Sequence, residues 1–240
     1  MNNEITISKL RSIENRLHIL NNALKELKEN PGSDKSETKS EFKKISPDWF
    51  NYFEGYAEKA TTEYVRSQWG KILAGEIRQP GSFSLLTLRI LAELDQRTAE
   101  WFKEEVRFRI TNSDILLPEK YGSELLIRMN ALEQNGLLGH IIPAAGIFKY
   151  FEPGNEKIVL LPEGNLCFRV YTDKIIKLAV IELTNAGREI ATILPPVDPM
   201  SMFEKLAEAF KGKAKSADVC KINKKEENQM FLSDPIRTFF

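Results

Sequence analysis

Few side chains in this sequence could make or break bonds. His18 and His140 are the only imidazoles and Cys167 and Cys220 the only thiols among 240 residues. Neither histidine stands in HExxH or CxxC…HxxxH spacing, so zinc-assisted hydrolysis has no ligand set. The two cysteines lie far apart and form no CxxC redox pair. Ser82 and Ser84 lack a GxSxG elbow and a neighbouring histidine, which argues against a serine nucleophile. A nuclease-like Asp…ExK set fails because Glu41-Phe42-Lys43 precedes Asp48. No GxxxxGK[ST] loop is present to cradle phosphate, and no GxGxxG follows a strand. The residues point to no catalytic, cofactor or metal site, and the expectation is a non-enzymatic protein without a cofactor.

Composition narrows the partners. With 34 Lys+Arg against 34 Asp+Glu the chain has no charge excess to draw it to nucleic acid or to an acidic surface. Hydrophobic residues make up 42% and include 14 Phe and 3 Trp, enough for a real core. No apolar run approaches the roughly 18 residues of a membrane helix. The opening MNNEITISKLRS has no apolar stretch leading to a small-residue cleavage site. A cytoplasmic protein without a membrane partner is expected.

With chemistry unsupported, attention passes to elements that could bind. Leu10, Ile13, Leu17, Leu20, Leu24 and Leu27 recur at alternating spacings of three and four, the a/d seam of a coiled coil over almost three heptads. So short a helix is marginal alone and needs a partner surface. That surface is either another copy, giving a homo-oligomer, or the helix's own domain. The assignment is therefore an amphipathic or coiled-coil helix at 1–29 and a linker at 30–45, where Pro31, Gly32 and polar residues interrupt any period.

A helical bundle is expected over 46–112. Ser46-Pro47 reads as a helix start, and Trp49, Phe50, Phe53 and Tyr56 make an aromatic face, read as core. A helix over 62–78 follows. Pro80-Gly81 breaks it, Ser82 or Ser84 caps the next helix, and residues 85–94 are apolar almost all round, which predicts a buried central helix. Asp95 caps a third helix of the same bundle. Glu76 sits near the C-terminal end of its helix, where the macrodipole disfavours a negative charge. It therefore needs a partner, read as a salt bridge or as backbone N–H groups at the start of the next helix.

The string from Trp69 through Glu76 to Pro80-Gly81-Ser82-Phe83-Ser84 closely resembles the core of an uncharacterised bacterial family, domain of unknown function 2806. The resemblance spans residues 49–138. More distantly, the W-x-x-I-L-A string, the leucine helix, an L-x-x-x-G-L element and a later L-T-x-x-G element look like the abortive-infection alpha family, which implies a role in defence against phage. Neither family brings a catalytic residue with it.

Residues 113–194 predict a winged-helix-like domain with a small antiparallel sheet. A helix over 123–135 stops at Asn135-Gly136, and residues 147–151 and 158–161 flank Glu152-Pro153-Gly154-Asn155-Glu156, a hairpin signal. Leu183-Thr184-Asn185-Ala186-Gly187-Arg188-Glu189 is similar to the closing element of many winged-helix domains. Arg128, Lys149, Lys157 and Arg169 are its candidate nucleic-acid contacts, though Glu124 and Glu133 share the helix with Arg128. Residues 195–240 read as an amphipathic helix and a mobile lysine-rich tail whose apolar end could dock as a peptide.

The fold class expected is thus α+β, mainly α. Function divides between two classes. One is an oligomeric interaction protein of anti-phage defence that binds a phage or host protein. The alternative is a winged-helix DNA-binding regulator.

Overall fold

A computed structural model describes residues 2–31, 44–118, 122–140, 147–153, 157–160, 165–195, 198–225 and 230–240. The class is α+β, mainly α. The expected linker at 30–45 falls mostly outside the described residues. Two compact units divide at Leu94/Asp95.

The first unit holds α1 (Asn2–Glu29), α2 (Pro47–Ala57), α3 (Glu63–Arg78) and α4 (Leu85–Glu93). Short polar side chains start the last three. Ser46, Thr62 and Ser84 each accept the backbone N–H three residues on, from Trp49, Val65 and Thr87. Proline at the first position of α2 forfeits no hydrogen bond. Trp49 stacks on Phe53 at 5.1 Å, and Phe53 meets the edge of Trp69 at 5.6 Å. With Ile72, Leu73, Phe83 and Leu88 these rings fill the core, whereas Phe50 of the expected aromatic face is exposed and Tyr56 half-buried. The α4 helix departs from expectation. Thr87 and Leu88 are buried in it while Leu85 and Leu86 are exposed, so it lies on the rim of the unit and not at its centre. An apolar run says that a helix can be buried, but the number of neighbours decides how much of it is.

The second unit begins with α5 (Gln96–Glu105), capped by Asp95, whose carboxylate accepts Thr98 N–H. Here α5 clusters with the C-terminal unit, whereas the sequence grouped it with the preceding helices. A 3-10 turn (Val106–Phe108) leads to β1 (Asp114–Leu116), α6 (Ser123–Gln134), β2 (Ile147–Phe151), β3 (Lys157–Leu160), β4 (Leu166–Tyr171), β5 (Ile176–Glu182), α7 (Asn185–Ala191), α8 (Pro199–Phe210), β6 (Ser216–Lys225) and β7 (Met230–Thr238). Gly136, at φ +72°, provides the left-handed stop expected after α6. Two antiparallel sheets form, of order β1-β5-β2 and β3-β4-β6-β7.

Two expectations are overturned here. Residues 147–151 and 158–161 were expected to pair around Glu152-Pro153, but β2 pairs with β5 and β3 with β4, in different sheets. Turn residues are a local signal, while pairing is settled by distant strands that offer buried faces: Leu178 and Val180 on β5, Phe168 and Val170 on β4. The tail, read as mobile from its lysines, is instead a β6–β7 hairpin. Ala217 and Val219 on β6 enter the core cluster with Phe168, Phe203 and Phe210, while Lys221 and Lys224 stay exposed on the same strand. Phe239 and Phe240 pack against that cluster within their own unit.

Candidate interaction surface

The helix α1 does not stand free. It packs along α3 and also touches α2, through the face opposite its leucines. Ile19 and Ala23 are buried there and Asn15 nearly so. Asn15 donates to Glu58 O at 2.7 Å and accepts from Arg66 Nε at 3.1 Å. Ser12 Oγ and Arg16 Nη2 both donate to Glu58 Oε2, at 2.7 and 2.6 Å. The Arg16 hydrogen bond, then that of Ser12, holds the Glu58 carboxyl below its ordinary range, and the same pairing raises the Arg16 guanidinium. Further along, Arg78 Nη2 donates to Glu26 O at 2.8 Å. Since Asn15 meets Arg66 and Glu26 meets Arg78, α1 and α3 run in the same direction. They come close because α3 carries glycine at the crossing: a Cβ on Gly70 would stand 2.6 Å from Asn22 Cβ.

Docking by that face leaves the leucine seam in solvent. Leu10 is 60% exposed, Leu17 57% and Leu24 55%, and Ile13 and Leu20 are also exposed. Of the six seam residues, Leu27 alone is half-buried. Ile7 extends the exposed stripe toward the start of the helix. Single exposed leucines are ordinary, but a contiguous apolar stripe of this length is the mark of a binding surface. The leucine period was legible in the sequence. The docking face was not singled out, although its signal exists: Asn15, Ile19, Asn22 and Ala23 recur at helical spacing opposite the leucines, mixing small and polar residues.

The motif from Trp69 to Ser84 makes a turn and a core contact. Glu76 is 2% exposed, and its carboxylate accepts Gly81 N–H at 2.6 Å and Phe83 N–H at 3.1 Å. These are the backbone N–H partners that its place in the helix required. Gly81 has φ +92°, which L side chains rarely adopt, so the turn after Pro80 depends on it. Ser82 Oγ donates to Gln79 O, Ser84 caps α4, and Trp49 Nε1 donates to Phe83 O at 2.7 Å. Trp69 is buried among Phe53 and Tyr56. Each polar atom named here holds the α3–α4 corner.

The nucleic-acid candidates lie on four different elements, α6, β2, β3 and β4. Arg128 on α6 pairs with Glu104, Glu124 and Glu105, at 2.5, 2.7 and 3.5 Å. Arg169 on β4 is held by both carboxylate oxygens of Asp218 at 2.9 Å. Lys149 lies on β2, opposite Leu178, and Lys157 on β3, opposite Val170, so the two belong to different sheets. His18 and His140 each face one glutamate at the surface. No group of three or more His, Cys, Asp and Glu could hold a metal ion among the described residues. Cys167 and Cys220 are cross-strand neighbours, both fully buried. Burial pushes the Cys167 thiol up; burial and the nearby Asp218 carboxylate push Cys220 up to about 12.

Comparison with protein families matches residues 12–120 to a family described as a protein of unknown function (DUF2806). This stretch is similar to the DUF2806 family. The matched region starts within α1 and takes in the docking face and the seam from Ile13 to Leu27, which the sequence resemblance over 49–138 did not reach. It ends before α6. The seam from Ile13 to Leu27 therefore lies within the matched stretch, whereas Leu10 and β2 to β7 lie outside it. No curated protein matches the chain, and no solved structure matches it. No described helix is long and apolar enough to cross a membrane.

Proposed function

We propose that this is a non-enzymatic interaction protein that assembles through the leucine seam of α1 and acts in bacterial defence against phage, where the assembled body engages a phage or host protein. One observation carries the assembly: α1 is anchored by one face while the opposite face presents Leu10, Ile13, Leu17, Leu20 and Leu24 to solvent. A helix that only covered its own domain would turn those leucines inward. The defence role is supported by the sequence resemblance to the abortive-infection alpha family.

Light scattering tests the assembly. The intact protein should give the mass of more than one copy at micromolar concentration, and Leu17→Glu with Leu20→Glu should reduce it to one copy without lowering the melting temperature, because both side chains are exposed. A single-copy mass for the unaltered protein across that range rejects the reading. For the defence role, phage plating efficiency on cells carrying the protein should drop and should recover with the double variant. The DNA-regulator alternative finds support in α6 and the β1-β5-β2 sheet, but Arg128 and Arg169 are already engaged by carboxylates.

A further inference from the structure

We infer that the assembly is a parallel, in-register pair of α1 helices from two copies, an inference that rests on the reading above and deepens it. In heptad terms Leu10, Leu17 and Leu24 are a positions and Ile13, Leu20 and Leu27 are d positions. The protein itself already occupies much of the rest of the helix. Ser12, Ile19 and Glu26 at c, Asn15 and Asn22 at f, and Arg16 and Ala23 at g face or bond the rest of the first unit. Coils of three or four strands need wider sectors that include both e and g. With g taken from Arg16 onward, the free sector admits one partner helix.

The sector fits a second copy because it complements itself. From Leu10 to Leu27 leucine or isoleucine stands at each a and d position, so identical helices stack like layers. The flanks select direction. In a parallel pair a g residue faces the e residue five positions further along the partner, which places Lys9 beside Glu14 of the second copy, twice by symmetry. In the antiparallel arrangement with full overlap, where a and d residues pair as Ile13 with Leu24, Glu14 falls opposite Asn21 and Arg16 opposite Ala23. No opposite charges then meet. The seam is a single narrow stripe of six apolar side chains, small beside a standard stable interface of roughly 800 Å² per partner, so the pair should dissociate on dilution.

Cysteine substitution reads both partner number and direction. Ile13 and Leu24 are exposed, so replacing them leaves the core intact, and the native Cys167 and Cys220 are fully buried and do not compete. Under a mild oxidant Ile13→Cys alone, and Leu24→Cys alone, should each shift most of the chain to a reductant-sensitive band of doubled mass. Adding Leu17→Glu to either should abolish the band. An antiparallel pair would hold two copies of residue 13 about 16 Å apart along the axis, given a 1.5 Å rise per residue. Neither variant would then cross-link alone, while their equimolar mixture would. That outcome, or a scattering mass of three or four copies, overturns the parallel pair but leaves assembly standing; a single-copy mass removes assembly itself.

Discussion

Glu76 and Glu105 are both buried carboxylates, and their surroundings differ. Glu76 receives two backbone N–H donors from the turn that it organises. Glu105, at the end of α5, loses hydration, and that burial raises its carboxyl above the ordinary range; Arg128 and Lys205 offset this only in part. The sign follows from linkage. A carboxyl whose folded value exceeds its unfolded one binds its proton more tightly in the folded protein, so its contribution favours folding at low pH and is lost as pH rises through the folded value. Glu105→Gln keeps the shape without the titration. The variant should match the parent's melting temperature near pH 4 and exceed it at pH 8. Calorimetry at both values checks this, and an equal difference at the two would mean that Glu105 titrates normally.

Glycine at a crossing and glycine in open space should respond oppositely to the same change, and α2 and α3 supply one of each. Gly55 in α2 has nothing within 4 Å of an added Cβ, whereas on Gly70 in α3 the Cβ would meet Asn22 Cβ at 2.6 Å and Ala23 N at 3.1 Å. Alanine favours a helix interior over glycine by about 1 kcal/mol, while overpacking a close contact costs roughly 1–3 kcal/mol. Gly55→Ala is therefore expected to raise the melting temperature. Gly70→Ala should loosen α1 from α3, seen as faster hydrogen exchange at the Asn15 to Ala23 amides; unchanged exchange there would show that the helices separate at no cost. The same contrast marks what the sequence could say about the fold. Caps at Ser46, Ser84 and Asp95 were legible because each depends on a backbone N–H three residues away. The seam was legible because a heptad is periodic. The face that docks α1 depends on Glu58, Arg66 and Arg78, distant in sequence, and pairing of β2 with β5 in place of β3 is equally non-local.

At the scale of the whole molecule the charge is balanced, 34 against 34. Binding of duplex DNA by a neutral protein needs a local cluster of free cations, since released counterions supply the affinity and set its salt dependence. Arg128 faces three carboxylates and Arg169 one, and Lys149 and Lys157 lie in separate sheets. To reach a phosphate, either arginine must first leave its carboxylate and strand it, which cancels part of the gain. The protein is therefore expected to show no change in scattering mass with mixed-sequence duplex DNA at about 50 mM salt, a concentration that favours non-specific binding. Substituting the acidic partners supplies the complementary arm. Glu104→Gln, Glu105→Gln and Glu124→Gln together should free Arg128 and bring up whatever weak binding α6 can support, with a salt slope near one phosphate contact. If the unaltered protein instead forms a complex that weakens steeply between about 50 and 200 mM salt, cations beyond these four must be gathered in solution, and the DNA regulator would displace the assembling interaction protein as the leading account.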